Sequence, residues 1–167
     1  MLHLDPRTGS KLLLPTLQAM GLPVVLADPQ LPFADAAFVG CGPSGEVSIG
    51  VERKTVSEIL EAQVDPHKRF LGGQLPGLVS HYDYRWLFVE GEWTTDRHGW
   101  LETYPASQHP RLARQIHGLL TSLEVRCGLR WRHTRNPRET ALMLGNLYRW
   151  WQTPWDQHGS YKAVGDL

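Results

Sequence analysis

The sequence predicts an α/β domain in which a sheet is covered by helices on both faces. Three observations point there. Apolar runs of strand length alternate along the chain with stretches of helical periodicity. Two of those runs, "AAFVG" and "VSIGVE", flank the turn-rich "CGPSGE" and read as a hairpin. The 167 residues suit one domain with a full core, since 41% of them are hydrophobic and 20% charged.

The elements follow in chain order. "LHLD" (2–5) is a short apolar strand, and "KLLLPTLQAM" (11–20) suits a helix with Pro15 in or near its first turn, stopped by Gly21. "LPVVLAD" (22–28) reads as a buried strand; "AAFVG" (36–40), the turn 41–46 and "VSIGVE" (47–52) form the hairpin. Thr55 or Ser57 caps a helix from about Val56 to Ala62. "HKRFLGGQLPGLVSHY" (67–82) is helical in pattern but interrupted by Gly72, Gly73 and Pro76. "YRWLFVE" (84–90) is the clearest buried strand. "HPRLARQIHGLLTSLEV" (109–125) is an amphipathic helix, with Leu112, Ile116, Leu119, Leu120 and Leu123 at helical spacing. "RCGLRWRHT" (126–134) is a further strand. "NPRETALMLGNLYRWW" (136–151) opens with Asn before Pro and has Glu139 in its first turn, a helix start. The segment after Pro154 is expected to be loosely structured.

Several function classes fall away. No apolar stretch approaches the ~20 residues that span a bilayer, and the N-terminus lacks the layout of a signal peptide, so no membrane partner is expected. Cys41 and Cys127 are not spaced as a metal or redox pair, which suggests reduced thiols in a cytoplasmic setting. The histidines make no zinc spacing, and neither a P-loop nor a G-x-S-x-G elbow is present. Net charge is zero but unevenly spread. Residues 1–108 carry 8 Lys/Arg against 13 Asp/Glu, while 109–151 carry 8 Arg against 2 Glu. An acidic part beside a basic part suits a protein that holds a metal with one and phosphates with the other; a solvated arginine face on helices accounts for it equally.

Phosphodiester cleavage needs hard oxygen ligands for a divalent metal and a group that activates water. Asp5, Asp35, Glu52 and Glu90 each open or close an apolar run, where a carboxylate can stand at a sheet edge. Glu52 and Lys54 are two apart, so on an extended segment they share a face, a carboxylate for metal beside an ammonium that orients water. Arg53 then faces the other way, toward a phosphate or a structural carboxylate. Taken alone, the triplet also reads as a solvated strand end.

The ordered set of motifs resembles the nuclease domain of the XPF family. That family carries Gly-Asp, a variable gap, then Glu-Arg-Lys, three residues and Asp. Here "FADAAF" and "VERKTVSEIL" supply Asp35, Glu52, Arg53 and Lys54, with Glu58 at the last position. The opening V-D-x-R-E and S-x-L-P are similar to "LHLDPRTGSKLLLP", aligning Asp5 and Arg7. "RFLGGQL" resembles the family's R-L-x-x-Q helix through Arg69 and Gln74, "LFVEG" its V-E-G strand end, and "LRWRHTRNPRETALML" its last strand and helix. The chain departs from the pattern at Ala34 for Gly, Thr8 for an acid and Glu58 for Asp.

The resemblance implies a restriction-endonuclease-like core over 1–151 with a tail at 152–167, cutting DNA with Mg2+ or Mn2+. It makes Asp35 and Glu52 the principal metal ligands, with Asp5 and Glu58 as supporting acids. Lys54 would orient water, and Arg53 would grip a phosphate or brace the site. Arg7, Arg69 and Gln74 would wall the site. The expected substrate is branched, flap or junction DNA, or partly single-stranded DNA, in repair or recombination. With 16 residues after Trp151, the DNA-binding module that many relatives append is not expected here, and contacts are expected from this domain, a partner or a homodimer. Arg130 and Arg132 with Trp150, Trp151 and Trp155 are candidates for stacking on unpaired bases, or else for core or dimer interface. Two other classes remain open: a non-catalytic DNA-binding scaffold of the same fold, and a sequence-specific restriction-type endonuclease.

Overall fold

The computed structural model describes residues 1–64, 70–104 and 111–159. The first strand, β1 (Leu2–Leu4), leads into two short helices, α1 (Thr8–Lys11) and α2 (Leu14–Ala19), and then β2 (Val24–Leu26). The hairpin follows as β3 (Ala36–Gly42) and β4 (Gly45–Thr55), then α3 (Val56–Val64), a π-helical turn Phe70–Gln74, and α4 (Leu75–His81). Next come β5 (Tyr84–Glu90), β6 (Glu92–Thr95), β7 (Leu101–Tyr104), α5 (Ala113–Cys127), β8 (Leu129–Thr134) and α6 (Pro137–Gln152).

Six strands form the central sheet in the order β2-β1-β3-β4-β5-β8, while β6 and β7 make a separate ribbon. The β1–β3 and β3–β4 pairs are antiparallel; β1–β2, β4–β5 and β5–β8 are parallel. Alternation along each strand divides the core in two. On one face Leu87, Val89 and Leu129 pack with Ile59, Leu78 and Ile116 of α3, α4 and α5. On the other, Leu4, Phe38 and Phe88 pack with Leu17 of α2 and Leu144 of α6. The expected α/β class, with a mixed sheet flanked by helices, is what the chain adopts.

Several elements differ from expectation for identifiable reasons. The helix expected over 11–20 is broken into α1 and α2, because Pro15 has no N–H to continue a helix and instead occupies the first turn of α2. The run 22–28 is buried only at Ala27. Only Val24–Leu26 pairs, at the sheet edge against β1 alone, leaving Val25 and Leu26 38% and 40% exposed. The hairpin turn is tighter than 41–46, since Gly42 pairs with Gly45 and leaves Pro43 and Ser44 between the strands. At the other end α5 runs through Cys127, and Gly128, at φ +62°, ends it before β8 begins. The β6–β7 ribbon was not expected, because Gly91 and Gly99 mask short strands of mixed polarity. After Pro154, Trp155–Gln157 forms one 3-10 turn, with Trp155 and His158 against Trp150. No helix among the described residues is long and apolar enough to cross a membrane.

Candidate active site

β4 does not stop at the charged triplet. Glu52, Arg53, Lys54 and Thr55 keep their register against Leu87, Phe88, Val89 and Glu90 of β5, so three charged residues lie within a strand. Alternation sends Glu52 and Lys54 to the α3–α4 face and Arg53 to the α6 face.

On the α6 face Arg53 meets a structural carboxylate. Its Nε donates to Glu90 Oε2 at 2.8 Å, and its Nη2 donates to Glu90 Oε1. Thr140 Oγ1, from α6, donates to Glu90 Oε2 at 2.6 Å and pairs with Thr134 Oγ1. This closed network raises the Arg53 pKa, chiefly through the hydrogen bond to Glu90. Glu90 therefore does not join the other carboxylates. The register that pairs Thr55 with Glu90 puts it on the opposite face from Glu52 and Lys54.

On the α3–α4 face the carboxylates converge. β1 and β3 are joined to the end of β4 by Asp5 N donating to the Asp35 carbonyl and Asp35 N to that of Val51, both at 2.9 Å. Asp35 is held by two donors: Arg53 N to Oδ2 at 2.8 Å and Ser10 Oγ to Oδ1 at 3.0 Å. Asp5 is fully buried; its Oδ1 accepts from Arg7 N at 2.9 Å and Arg7 Nε at 2.5 Å, and its Oδ2 has no donor. Glu52 is 1% exposed. Lys54 Nζ lies 2.6 Å from Glu52 Oε1 as an ion pair, yet neither Glu52 oxygen has an aligned hydrogen-bond donor. Burial, reinforced by Asp35, pushes the Glu52 carboxyl up to about 7 despite Lys54. A cleft of about 300 Å3 opens against Asp35 and Lys54, lined also by Arg7, Glu58, Phe70 and Gln74, with the buried Asp5 and Glu52 outside its lining.

Glu58 borders this cleft, but its carboxylate is engaged. Oε2 accepts from Thr55 N at 2.7 Å and Thr55 Oγ1 at 2.9 Å, while Glu58 N donates to Thr55 Oγ1 at 3.2 Å. That reciprocal pair is a capping box for α3. Arg69 lies outside the described residues. Arg130 and Arg132 are on the far face: β8 pairs in register with β5, so they stand beside Trp86 and Phe88. There the Arg132 guanidinium lies 4.9 Å from the Trp86 ring centroid and that of Arg130 5.2 Å from Tyr84, rimming an aromatic cavity of about 500 Å3 that no carboxylate lines. Trp151 belongs to the core at 3% exposure, and Trp150 stacks on His158 with ring centroids 4.0 Å apart.

Three residues of the site were not foreseen. Ser10 fixes Asp35; Phe70 presents its ring 5.6 Å from Lys54 Nζ. Tyr82 lies over β4, donates to the Pro32 carbonyl at 3.0 Å, and is pushed up to about 12 by burial and then by Asp5 and Glu52. Gly50 carries the signal for Tyr82. A Cβ there would come within 2.3 Å of the Tyr82 ring, and an isolated glycine in a strand marks such a close approach.

No group of three or more His, Cys, Asp or Glu side chains among the described residues is arranged as a metal cluster. Magnesium does not require one, since it binds through one or two carboxylates and completes its shell with water and substrate phosphates. Glu52 Oε2 and Asp5 Oδ2, buried without donors among the described residues, fit a hard cation by their chemistry.

Solved structures share this architecture. XPF from Aeropyrum pernix superposes with a TM-score of 0.63 at 24% identity, over 98% of this chain and 67% of that one. XPF from Aeropyrum pernix in complex with DNA superposes with a TM-score of 0.64 at 25% identity, over 89% of this chain and 63% of that one. The chain thus spans about two thirds of the length of those proteins. No family model matches the chain, and no curated protein matches it. In fold, this chain resembles XPF from Aeropyrum pernix.

Proposed function

We propose that the chain is a divalent-metal-dependent DNA endonuclease that favours branched or partly single-stranded DNA. The observation that carries this reading is Glu52. A carboxylate 1% exposed, with Lys54 Nζ at 2.6 Å as its counter-ion and with burial and Asp35 still pushing it up to about 7, is a group whose charged form a divalent cation would stabilise further. The likeness to an XPF structure in complex with DNA supports nucleic acid as the ligand.

In this reading Asp35 and Glu52 hold Mg2+ or Mn2+, with Asp5 behind them. The bound cation supplies Lewis-acid activation of water and neutralises charge developing on the phosphate. Lys54, its ammonium at the cleft wall, positions the attacking water in line with the scissile phosphorus. Arg7, locked to Asp5 through Nε and donating from Nη2 to the Ala34 carbonyl at 3.5 Å, has its Nη1 to steer a phosphate into the cleft. Arg53 acts through Glu90, keeping β4 and β5 aligned so that the backbone N–H to Asp35 stays in place.

The test is cleavage of labelled flap, fork, Holliday-junction, single-stranded and duplex DNA in Mg2+, Mn2+ or EDTA, with Asp35→Asn and Glu52→Gln beside the wild type. Metal-dependent cutting that both variants lose, strongest on a branched substrate, is the expected result. DNA binding by the wild type without cutting of any substrate overturns it in favour of a scaffold. Cutting that follows base sequence in plain duplex favours a restriction-type enzyme instead.

A further inference from the structure

Two residues before Asp35, Phe33 is held in an unusual way. It has φ +57°, the one positive value at a non-glycine residue among those described. A bulky side chain in this left-handed region is an outlier, and such positions concentrate at functional sites. The ring is nevertheless 45% exposed. It stands edge-on to His81, with centroids 6.3 Å apart, and rests on Gly77. A Cβ at position 77 would come within 2.2 Å of the ring, so the glycine of α4 is the seat that lets the ring lie where it does. Backbone and neighbour are thus both adapted to present a flat apolar surface to water.

That surface forms one wall of a cavity of about 320 Å3, whose other walls are Arg7, Gln30, Leu31, Gly73 and Gln74. Its size falls in the ~300–1,000 Å3 range of small-ligand sites. Arg7 and Gln74 also line the Asp35–Lys54 cleft, so the two spaces adjoin. The chemistry of the walls is specific in kind. An aromatic face stacks on any base, the amides of Gln30 and Gln74 offer donors and acceptors to a base edge, and the Arg7 guanidinium complements a phosphate. A paired base inside a duplex shows neither its faces nor its Watson–Crick edge to such a cavity. An unpaired one shows both.

We propose that Phe33 is the stacking platform for an unpaired nucleobase next to the phosphate held in the cleft, and that it selects DNA with an unpaired nucleotide at that point. This deepens the nuclease reading and rests on it.

The experiment uses fork DNA carrying 5-iododeoxyuridine at successive unpaired positions, bound to the wild-type protein in Ca2+, photo-cross-linked and mapped by mass spectrometry. Affinity for fork over duplex DNA is measured in parallel for wild type, Phe33→Leu and Phe33→Trp. The expected cross-link is at Phe33, from one position adjoining the cut. Leucine, which keeps apolar bulk without an aromatic face, should lower the fork preference about 5- to 150-fold, and tryptophan should retain it. Cross-links mapping instead to the Trp86–Trp150 cavity, or a wild-type fork preference in Phe33→Leu, overturn the proposal. A wild type that cross-links through Phe33 but never cuts leaves the platform standing and removes the nuclease reading. Cutting with an unchanged Phe33→Leu preference does the reverse, and a folded wild type that binds no DNA overturns both.

Discussion

Replacing Glu52 by glutamine, in the absence of metal, should change how stability depends on pH. In the fold burial and Asp35 hold this carboxyl protonated up to about pH 7, against an ordinary value of 4.5 when the chain is unfolded. Between those values the folded state carries a proton that the unfolded state has lost, so stability falls as pH rises through the window and levels off above it. A shift of that size corresponds to about 3 kcal/mol at 1.36 kcal/mol per unit. Glutamine resembles the protonated form and does not titrate. The stability difference between variant and wild type should therefore move by about 3 kcal/mol in favour of the variant from pH 4.5 to pH 8, or ~6–12 °C in Tm for a domain this size. The Lys54 ion pair forms only with ionised Glu52 and is already contained in the value of about 7, so its loss adds no separate offset. The assay is urea unfolding followed by tryptophan fluorescence at pH 5, 6, 7 and 8 in EDTA. Titrating groups that do not interact with Glu52 are common to both proteins and cancel. Parallel profiles, with a difference constant to ~0.5 kcal/mol, would refute the claim that the Glu52 charge is penalised by its surroundings.

Further outcomes follow from the same geometry. Adding Mg2+ at pH 8 should raise the wild-type Tm and leave Asp35→Asn unmoved, because only a cation bound to the folded state stabilises it. Arg53→Ala should cost about 3–5 kcal/mol in denaturant unfolding, since it leaves the Glu90 carboxylate buried and unpaired, and Arg53→Ala with Glu90→Gln should recover part of that loss. Glu58→Gln should keep both the α3 cap and cleavage within ~3-fold, because either residue closes a capping box, whereas Glu58→Ala should lose about 1 kcal/mol of stability. Loss of cutting in Glu58→Gln with stability intact would instead make Glu58 a ligand.

Part of the candidate site's geometry was legible in the sequence because it is set by strand periodicity. Glu52 and Lys54 share a face and Arg53 opposes them by a rule that needs no tertiary information, and the ion pair at 2.6 Å follows from it. What tertiary register decides was not legible. Glu90 closes an apolar strand just as Glu52 does within its own, yet pairing with Thr55 turns it to α6 and into a bond with Arg53. The same register carries Arg130 and Arg132 away from the cleft, although their clustering in sequence suggests a single phosphate-binding surface. Local chemistry misled in the opposite sense at Glu58. Thr55, three residues earlier, is a capping-box signature, and the box takes the carboxylate that the motif assigns to the site. The apolar run at 22–28 reads as buried because hydrophobicity reports composition, whereas burial depends on which strands flank it. Here only β1 does.

The most direct test of the central claim is the single-turnover rate of fork cleavage as a function of Mn2+ concentration at pH 7.5. It would be measured for wild type, Asp35→Asn and Glu52→Gln, with folding of each checked by its melt. The account predicts a rate that saturates with Mn2+ for the wild type and is at least ~100-fold lower for both variants at every concentration. Cleavage independent of Mn2+, or equal rates in folded variants and wild type, would contradict the assignment of metal and chemistry to Asp35, Glu52 and Lys54.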